Sequence, residues 1–214
     1  METLDYIKDK FQLRYQVPMP IKLPIDRFRG LPGIMRELGF TKGVEVGVSN
    51  GRYSKWLCTK MPKLKLFLVD PWIAYPEYVE SHDKKVDLNQ CYENSKTRLA
   101  KFNVEFIRKT SMEAITDFLD NSLDFVFIDG NHSFEYATED IAQWSKKVKP
   151  GGIVAGHDYW NSIDIKKYWV KIENETDRRK LCQIKYVVDA WTKANDIKPW
   201  FTIDKGLSWF WVKK

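Results

Sequence analysis

The chain has 214 residues, of which 43% are hydrophobic and 30% charged, and its formal net charge is +6. This length suits one well-packed domain and excludes two domains of ordinary size. No apolar run approaches the ~20 residues of a membrane span, and residues 1–10 lack a signal-peptide core, so we expect a cytoplasmic protein without a membrane partner.

The N-terminal segment, residues 1–26, contains Pro18, Pro20 and Pro24. Prolines forbid a long helix there, so we predict an extended arm that lies over a single domain formed by residues 27–214. The domain opens with a predicted helix at 29–38, a strand at 44–48 and an amphipathic run at 52–61.

The rest of the chain alternates predicted strands with predicted helices. Strands are predicted at 64–69, 104–108, 123–128 and 153–155, and helices at 84–102, 112–119 and 134–147. This alternation, with strands that are apolar on both faces, indicates an α/β fold with a parallel sheet covered by helices on both sides. Two last strands, at 199–203 and 207–212, predict a C-terminal antiparallel hairpin that completes seven strands. Residues 161–185 are predicted to be an insertion on the substrate side.

A glycine turn follows the first strand of the domain. Gly47 and Gly51 allow the backbone to turn sharply and to approach a ligand, and Glu45 lies two residues before the first glycine. A dinucleotide site needs three glycines for its pyrophosphate, which Glu45 would repel. The acid could instead face a cationic or hydroxyl-bearing ligand. The pattern E-x-G-x-x-x-G resembles the first motif of class I S-adenosylmethionine-dependent methyltransferases, although a generic nucleotide-binding turn is the alternative.

Acidic residues stand at or near the ends of four predicted strands, at Glu45, Asp70, Asp129 and Asp158. Parallel strands present their carboxyl ends at one edge of a sheet, so the four side chains should converge on one crevice. Any one of them could be a helix cap or turn former, but crowding four carboxylates costs stability and favours a function. Asp70 lies at the distance, roughly twenty residues after the turn, expected of an acid that binds ribose hydroxyls.

Asp129 and Asp158 provide the oxygen ligands that a hard cation such as Mg²⁺ prefers. A cation would lower the pKa of a coordinated hydroxyl, and His132 could take its proton. The alternatives are a capping or surface role for His132, and for His157 a packing role that orients Asp158.

Three strings sharpen the resemblance: Phe-Ile-Asp-Gly-Asn-His-Ser-Phe at 127–134, Lys-Pro-Gly-Gly at 149–152 and Gly-His-Asp-Tyr at 156–159. Together they resemble the metal-dependent, macrocin-type small-molecule and sugar O-methyltransferases, and cephalosporin-hydroxylase-like proteins share much of the pattern. This resemblance implies metal ligands at Asp129, His157 and Asp158, and a base at His132. Relatives often have two carboxylates or Asp-Asn where this chain has His157-Asp158.

The same resemblance assigns the cofactor contacts. It implies a Rossmann-like class I fold in which Glu45, Gly47 and Gly51 surround the methionine end of S-adenosylmethionine, Asp70 the ribose, and Ser111 and Met112 the adenine. Ser49 and Asp129 are predicted as further cofactor contacts. Trp72 is predicted beside the adenine ring, with a core or lid position as the alternative.

The predicted activity is methyl transfer from S-adenosylmethionine to a hydroxyl of a small acceptor such as a sugar, assisted by a divalent cation. One alternative is a hydroxylase-like relative that does not methylate. Another is a non-catalytic domain that docks glycan or nucleic acid on tryptophans 160, 169, 191, 200, 209 and 211. Scattered basic residues make nucleic acid an unexpected partner. The sequence leaves the oligomeric state open, a homodimer included.

Overall fold

The computed structural model describes residues 2–13, 21–75, 87–160 and 183–214, and these form one mixed sheet with helices on both faces. The sheet has eight strands in the order β1-β7-β8-β6-β5-β2-β3-β4. The strands are β1 (Ile21–Lys22), β2 (Lys42–Val46), β3 (Lys65–Val69), β4 (Val104–Ile107), β5 (Leu123–Ile128), β6 (Val148–Gly156), β7 (Trp200–Phe201) and β8 (Trp209–Val212).

Helices connect the parallel strands. They are α1 (Thr3–Lys10), α2 (Gly30–Glu37), α3 (Arg52–Lys60), α4 (Leu88–Leu99), α5 (Ser111–Ala114), α6 (Phe134–Lys147) and α7 (Gln183–Ala194), with a 3₁₀ turn at Ile115–Asp117. No helix within the described ranges has the length and apolar character that crossing a membrane requires.

The centre of the sheet is the most apolar part of the structure. All six residues of β5 are buried, as expected of a strand with helices on both faces. Strands β2, β3, β4, β5 and β6 run parallel, whereas β8 pairs antiparallel with both β6 and β7. The carboxyl ends of the parallel strands therefore share one edge, where the candidate site lies.

Two apolar clusters, one for each face, fix the sheet in place. One is built around Leu57, Leu66 and Phe125, and the other around Val126 and Trp144. Alternate residues of β5 thus enter different clusters, because side chains alternate across a strand.

The predicted parallel sheet and C-terminal hairpin are confirmed, with one strand more than the seven expected. The extra strand is β1, which pairs in parallel with β7 at the edge of the sheet. A strand of two residues is too short for an alternation of apolar and polar residues to be recognised in a sequence. Strand β6 also begins earlier than predicted, because residues expected to form a tight turn before it continue the strand.

The prediction of an extended N-terminal arm is wrong for its first part. Thr3–Lys10 form helix α1, whose Ile7 is fully buried. The prolines begin only at Pro18, so they place no restriction on this earlier segment. Pro18 and Pro20 fall outside the described residues, as does most of the predicted substrate-side insertion, of which only residues 183–185 are described, as the start of α7.

Candidate functional site

The glycine turn connects β2 to α3 and closely approaches the end of β5. Gly47 has φ +84°, and a Cβ on it would lie 2.0 Å from the carbonyl oxygen of Asp129. Only glycine fits there, since any side chain would collide with backbone and strain its own conformation. Gly51, with φ +70°, turns the chain into α3. The turn therefore brings the backbone of residues 47–51 to the crevice beside Asp129.

Asp70 holds this turn from the neighbouring strand. Its Oδ2 accepts hydrogen bonds from the backbone N–H groups of Val48 and Ser49 at 2.9 and 2.8 Å, and its Oδ1 accepts one from Trp72 at 2.7 Å. Burial raises the pKa of the Asp70 carboxyl, and the three backbone donors oppose that change. The residue predicted to bind ribose thus first fixes the shape of the loop.

Trp72 does not occupy the predicted position beside an adenine ring. Its side chain is only 1% exposed, packs against Tyr92 and Phe106, and donates its indole N–H to the Ser49 carbonyl at 2.7 Å. A ring this deeply buried has no face left for a ligand, so the core alternative is the correct one. Ser49 and Trp72 both have positive φ, a strained state for residues with side chains.

Glu45 is a buried acid with an unused oxygen. The residue is 2% exposed, and Oε2 has no hydrogen-bond partner among the described residues. Burial raises the pKa of Glu45 to about 8, against the opposing effect of the Ser54 hydroxyl, and the negative charges of Asp129 and Asp70 act in the same direction as burial. Such a group is costly without a ligand, because a buried polar atom needs a partner.

Three side chains converge at the ends of β5 and β6. His132 Nε2 lies 2.9 Å from Asp158 Oδ2 and 3.5 Å from Asp129 Oδ1. One ligand atom from each of Asp129, His132 and Asp158 can be chosen so that all lie within 4.8 Å of one another, a spacing suitable for a metal ion. Each of the three is partly exposed, so the group, which we call the carboxylate–histidine cluster, faces the crevice.

His157, predicted as a metal ligand, lies beside this cluster rather than within it. Its Nδ1 is 2.9 Å from Asp158 Oδ1 and 3.9 Å from Asp129 Oδ1, and the residue is 8% exposed. Burial favours the neutral imidazole, but the adjacent Asp158 carboxylate raises the pKa of His157 overall. Burial alone would raise the pKa of Asp158, yet the two histidines hold it well below its usual range. The structure thus agrees with the alternative in which His157 orients Asp158, a residue with φ +59°.

Ser111 and Met112, predicted to contact adenine, are half-buried at the start of α5. The Ser111 hydroxyl donates to Asp140 Oδ1 and accepts the Trp144 indole N–H at 2.7 Å. Burial raises the pKa of Asp140 to about 7, although Ser111 opposes that effect. Asp140 was not predicted, because a single acid inside an amphipathic helix resembles any surface residue of such a helix.

Arg27 and Asp204 are the other residues that the sequence did not reveal. Arg27 precedes α2, and its Nη1 lies 3.9 Å from Asp129 Oδ2 while its Nε lies 3.9 Å from Asp204 Oδ2. Its guanidinium also lies over the rings of Phe28 and Tyr53, at 4.8 and 5.8 Å from their centroids. No short motif marks either residue, and only the pairing of the two ends of the chain brings them to the crevice.

The alternative of an aromatic docking face does not hold for four of its six tryptophans. Trp160, Trp200, Trp209 and Trp211 are each at most 6% exposed and pack in the core. Trp191 is partly buried against the same core, and Trp169 lies outside the described residues. The four buried rings cannot stack on an external ligand.

Comparison with known proteins identifies the family. A family model described as "Methyltransferase domain" matches residues 44–159, which is more than half of the chain. The chain belongs to this family. The matched range contains the glycine turn, Asp70 and the carboxylate–histidine cluster, so the candidate site lies within the methyltransferase domain.

Solved structures confirm the class I methyltransferase fold. A Staphylococcus aureus protein described as a candidate caffeoyl-CoA O-methyltransferase has a TM-score of 0.65 and 12% identity, with 99% of this chain and 90% of that chain covered. The O-methyltransferase TomG of Streptomyces achromogenes, solved with S-adenosylmethionine, has a TM-score of 0.62 and 17% identity, with 100% and 91% covered. A Bacillus cereus O-methyltransferase solved with S-adenosylhomocysteine has a TM-score of 0.59 and 14% identity, with 99% and 90% covered.

A curated relative matches over a shorter stretch. The uncharacterized protein y4gI of Sinorhizobium fredii (strain NBRC 101917 / NGR234) is 30% identical over 69 residues. That stretch is 31% of this chain and only 8% of the length of y4gI. It therefore adds a sequence relative to the domain and no information on activity.

Proposed function

We propose that this methyltransferase domain transfers a methyl group from S-adenosylmethionine to a hydroxyl of a small acceptor, with a divalent cation held by the carboxylate–histidine cluster. The observation that carries the proposal is the position of that cluster. Asp129 is both a member of it and the residue against which Gly47 packs, so a cofactor on the glycine turn and a cation on the cluster would be neighbours.

The residues at the glycine turn suit a cofactor that has an ammonium and a sulfonium but no phosphate. Gly47 lets the turn pack directly against the backbone of Asp129, and the unpartnered Oε2 of buried Glu45 would accept a hydrogen bond from the ammonium. A pyrophosphate is disfavoured here, because the carboxylates of Asp70 and Asp129 would repel it. In this proposal Asp70 and the Ser49 region hold the ribose, and Ser111 with Met112 borders the adenine.

The donor set of the cluster suits a divalent cation. The carboxylates of Asp129 and Asp158, both partly exposed, would hold the cation and leave room for water or an acceptor oxygen among the ligands, with His132 beside them as the base. Carboxylates suit both Mg²⁺ and Mn²⁺. A bound cation would lower the pKa of an acceptor hydroxyl.

The chain's own contribution is orientation and proton transfer. S-adenosylmethionine supplies an electrophilic methyl group on its sulfonium. The glycine turn and Glu45 fix the methionine end, so that an acceptor over the cluster would be in line with the methyl group. We assign the proton of the acceptor hydroxyl to Nδ1 of His132, because the Nε2–H of the same ring is directed at Asp158 Oδ2, 2.9 Å away, and Asp158 thereby orients the ring. His157 in turn holds the other oxygen of Asp158.

The test begins with calorimetric titration of the purified protein with S-adenosylmethionine and S-adenosylhomocysteine, with and without Mg²⁺ or Mn²⁺. Both nucleosides should bind, and a methyl-transfer screen over hydroxylated acceptors, sugars among them, should then find a product. Asp129→Asn should abolish cation binding and turnover. His132→Gln should abolish turnover while weakening the cation less. Asp120→Asn, at an exposed acid paired with Lys147, is the matched control and should change neither. Failure of both nucleosides to bind the wild-type protein would refute the proposal.

A further inference from the structure

Arg27 is a cation whose side chain is only 20% exposed and which has no hydrogen-bonded counter-ion among the described residues. Its two ion pairs, to Asp129 and Asp204, are both 3.9 Å long, beyond the length of a hydrogen bond. Its Nε is buried and has no hydrogen-bond partner among the described residues. A guanidinium that has left water normally recovers short, charge-assisted bonds. The guanidinium N–H groups of Arg27 are therefore able to donate hydrogen bonds to a ligand.

Two further polar groups beside Arg27 lack partners in the same way. Tyr53 is 7% exposed, and its hydroxyl is buried without a hydrogen bond among the described residues; the same holds for Oε2 of Glu45. The guanidinium of Arg27 lies 5.8 Å from the centroid of the Tyr53 ring. Burial raises the pKa values of Tyr53 and Glu45, and the positive charge of Arg27 opposes both changes. Tyr53 stands at the start of α3, directly after the glycine turn. The three groups are thus neighbours, with a cation and a hydroxyl close to an acid.

Hydrogen bonds fix the backbone around Arg27, so its position at the crevice is well defined. Asp204 Oδ1 accepts the Arg27 N–H at 3.0 Å, and Asp26 Oδ1 accepts the next two N–H groups at 2.7 Å each. The Ile203 N–H donates to the Ile25 carbonyl at 2.9 Å. The segment before α2 is therefore tied to the turn between β7 and β8, and Arg27 cannot move away from the crevice without breaking these bonds.

We propose that Arg27 binds a ligand carboxylate, namely that of the methionine moiety of S-adenosylmethionine, while Glu45 binds the ammonium on the same carbon. An α-amino acid group carries one positive and one negative charge side by side. The ammonium would displace the proton of the Glu45 carboxyl, and Glu45 with Arg27 would then offer the complementary pair of charges. The Tyr53 hydroxyl is a second donor for the carboxylate. This inference rests on the proposed function, because it assumes that the methionine end lies on the glycine turn. An anionic acceptor is the other possible source of a carboxylate.

The experiment compares two ligands that differ only in the carboxylate. Calorimetric affinities for S-adenosylmethionine and for decarboxylated S-adenosylmethionine are measured with wild-type protein, Arg27→Gln and Arg27→Lys. Arg27→Gln should weaken binding of S-adenosylmethionine by about 10- to 100-fold and leave the decarboxylated ligand within about 2-fold, as expected for the loss of a charge-assisted bond. Arg27→Lys, which keeps the charge but loses the planar fork, should fall between. Arg29→Gln, at an exposed arginine two residues further on, is the control and should change neither affinity.

Each other outcome overturns the inference. Equal loss for both ligands in Arg27→Gln would mean that Arg27 supports the packing of the crevice, and unchanged affinities would place the methionine carboxylate elsewhere and leave Arg27 for an acceptor. In both cases the proposed function would stand, because the wild-type protein still binds its cofactor. Failure of wild-type protein to bind either ligand would refute the proposed function itself.

Discussion

Replacing the buried acid Glu45 by glutamine should stabilise the protein and impair its binding of cofactor at the same time. The folded protein keeps a proton on this carboxyl up to a pKa of about 8, whereas the unfolded chain releases it near the usual 4.5. Between these values the unfolded state binds fewer protons than the folded state, so the wild-type free energy of unfolding must fall as the pH rises. Glutamine has nearly the same shape and does not titrate.

The size of this effect follows from the two pKa values. A tenfold change in an ionisation equilibrium is worth about 1.4 kcal/mol. Between pH 5 and pH 8 the wild-type protein should therefore lose about 3 kcal/mol relative to Glu45→Gln. Titrating groups that do not interact with Glu45, such as Asp140, contribute equally to both proteins and cancel in the difference.

The assay is urea denaturation at a series of pH values between 5 and 8, combined with calorimetry of S-adenosylhomocysteine binding. Glu105→Gln is the matched control, since Glu105 is an exposed strand residue paired with Lys65, and it should follow the wild-type curve. If the free energy of unfolding depended on pH in the same way for wild-type protein and Glu45→Gln, the reasoning would be refuted, because Glu45 would then have the same pKa in the folded and the unfolded state. Unchanged ligand affinity in Glu45→Gln would refute its assignment to the ammonium.

Three further substitutions test the loop around the glycine turn. Gly47→Ala should lower the free energy of unfolding by about 3 kcal/mol or prevent folding, because the new Cβ would collide with the backbone. The control is Gly33→Ala, in a helix with open space around it, which should raise the free energy of unfolding by about 0.5–1 kcal/mol. Similar melting temperatures for the two variants would contradict this prediction. Asp70→Asn should lower the free energy of unfolding by about 1–3 kcal/mol and weaken S-adenosylhomocysteine binding, because an amide nitrogen cannot accept the backbone N–H bonds. Wild-type affinity in calorimetry would contradict this role of Asp70. Trp72→Phe should lower the free energy of unfolding by about 1–3 kcal/mol, because the hydrogen bond to the Ser49 carbonyl is lost. A larger loss of cofactor affinity than of stability would indicate that Trp72 contacts the cofactor.

The sequence predicted the sheet because its signals are local. An apolar run such as β5 and a glycine turn such as the one at Gly47 are written in consecutive residues, and the strand ends place Glu45, Asp70, Asp129 and Asp158 at one edge by geometry alone. These acids do lie near one another, since Asp70 and Asp129 both act on Glu45. The same reasoning gave helix α6 with the bounds that the structure has.

What the sequence did not predict depends on side-chain direction or on distant pairing. His132 follows Asp129 by three residues and His157 directly precedes Asp158, but the sequence does not show which imidazole points into the cluster. Trp72 follows a strand end like a binding residue, yet its rotamer carries it into the core. Arg27 reaches the site through contacts with Asp204, a pairing that no local pattern encodes.

The tie between the two ends of the chain also has a consequence for folding in time. Arg27 and Asp204 are 177 residues apart, and the segment before α2 pairs with the turn between β7 and β8. Contacts of such high sequence separation form late, because the loop they close is long. During synthesis the parallel strands can leave the ribosome and pair first, whereas the contact between Arg27 and Asp204 can form only after the C-terminal hairpin has been made. A nascent chain would therefore bind its ligand only once the hairpin has left the ribosome, and cofactor binding would report completed folding.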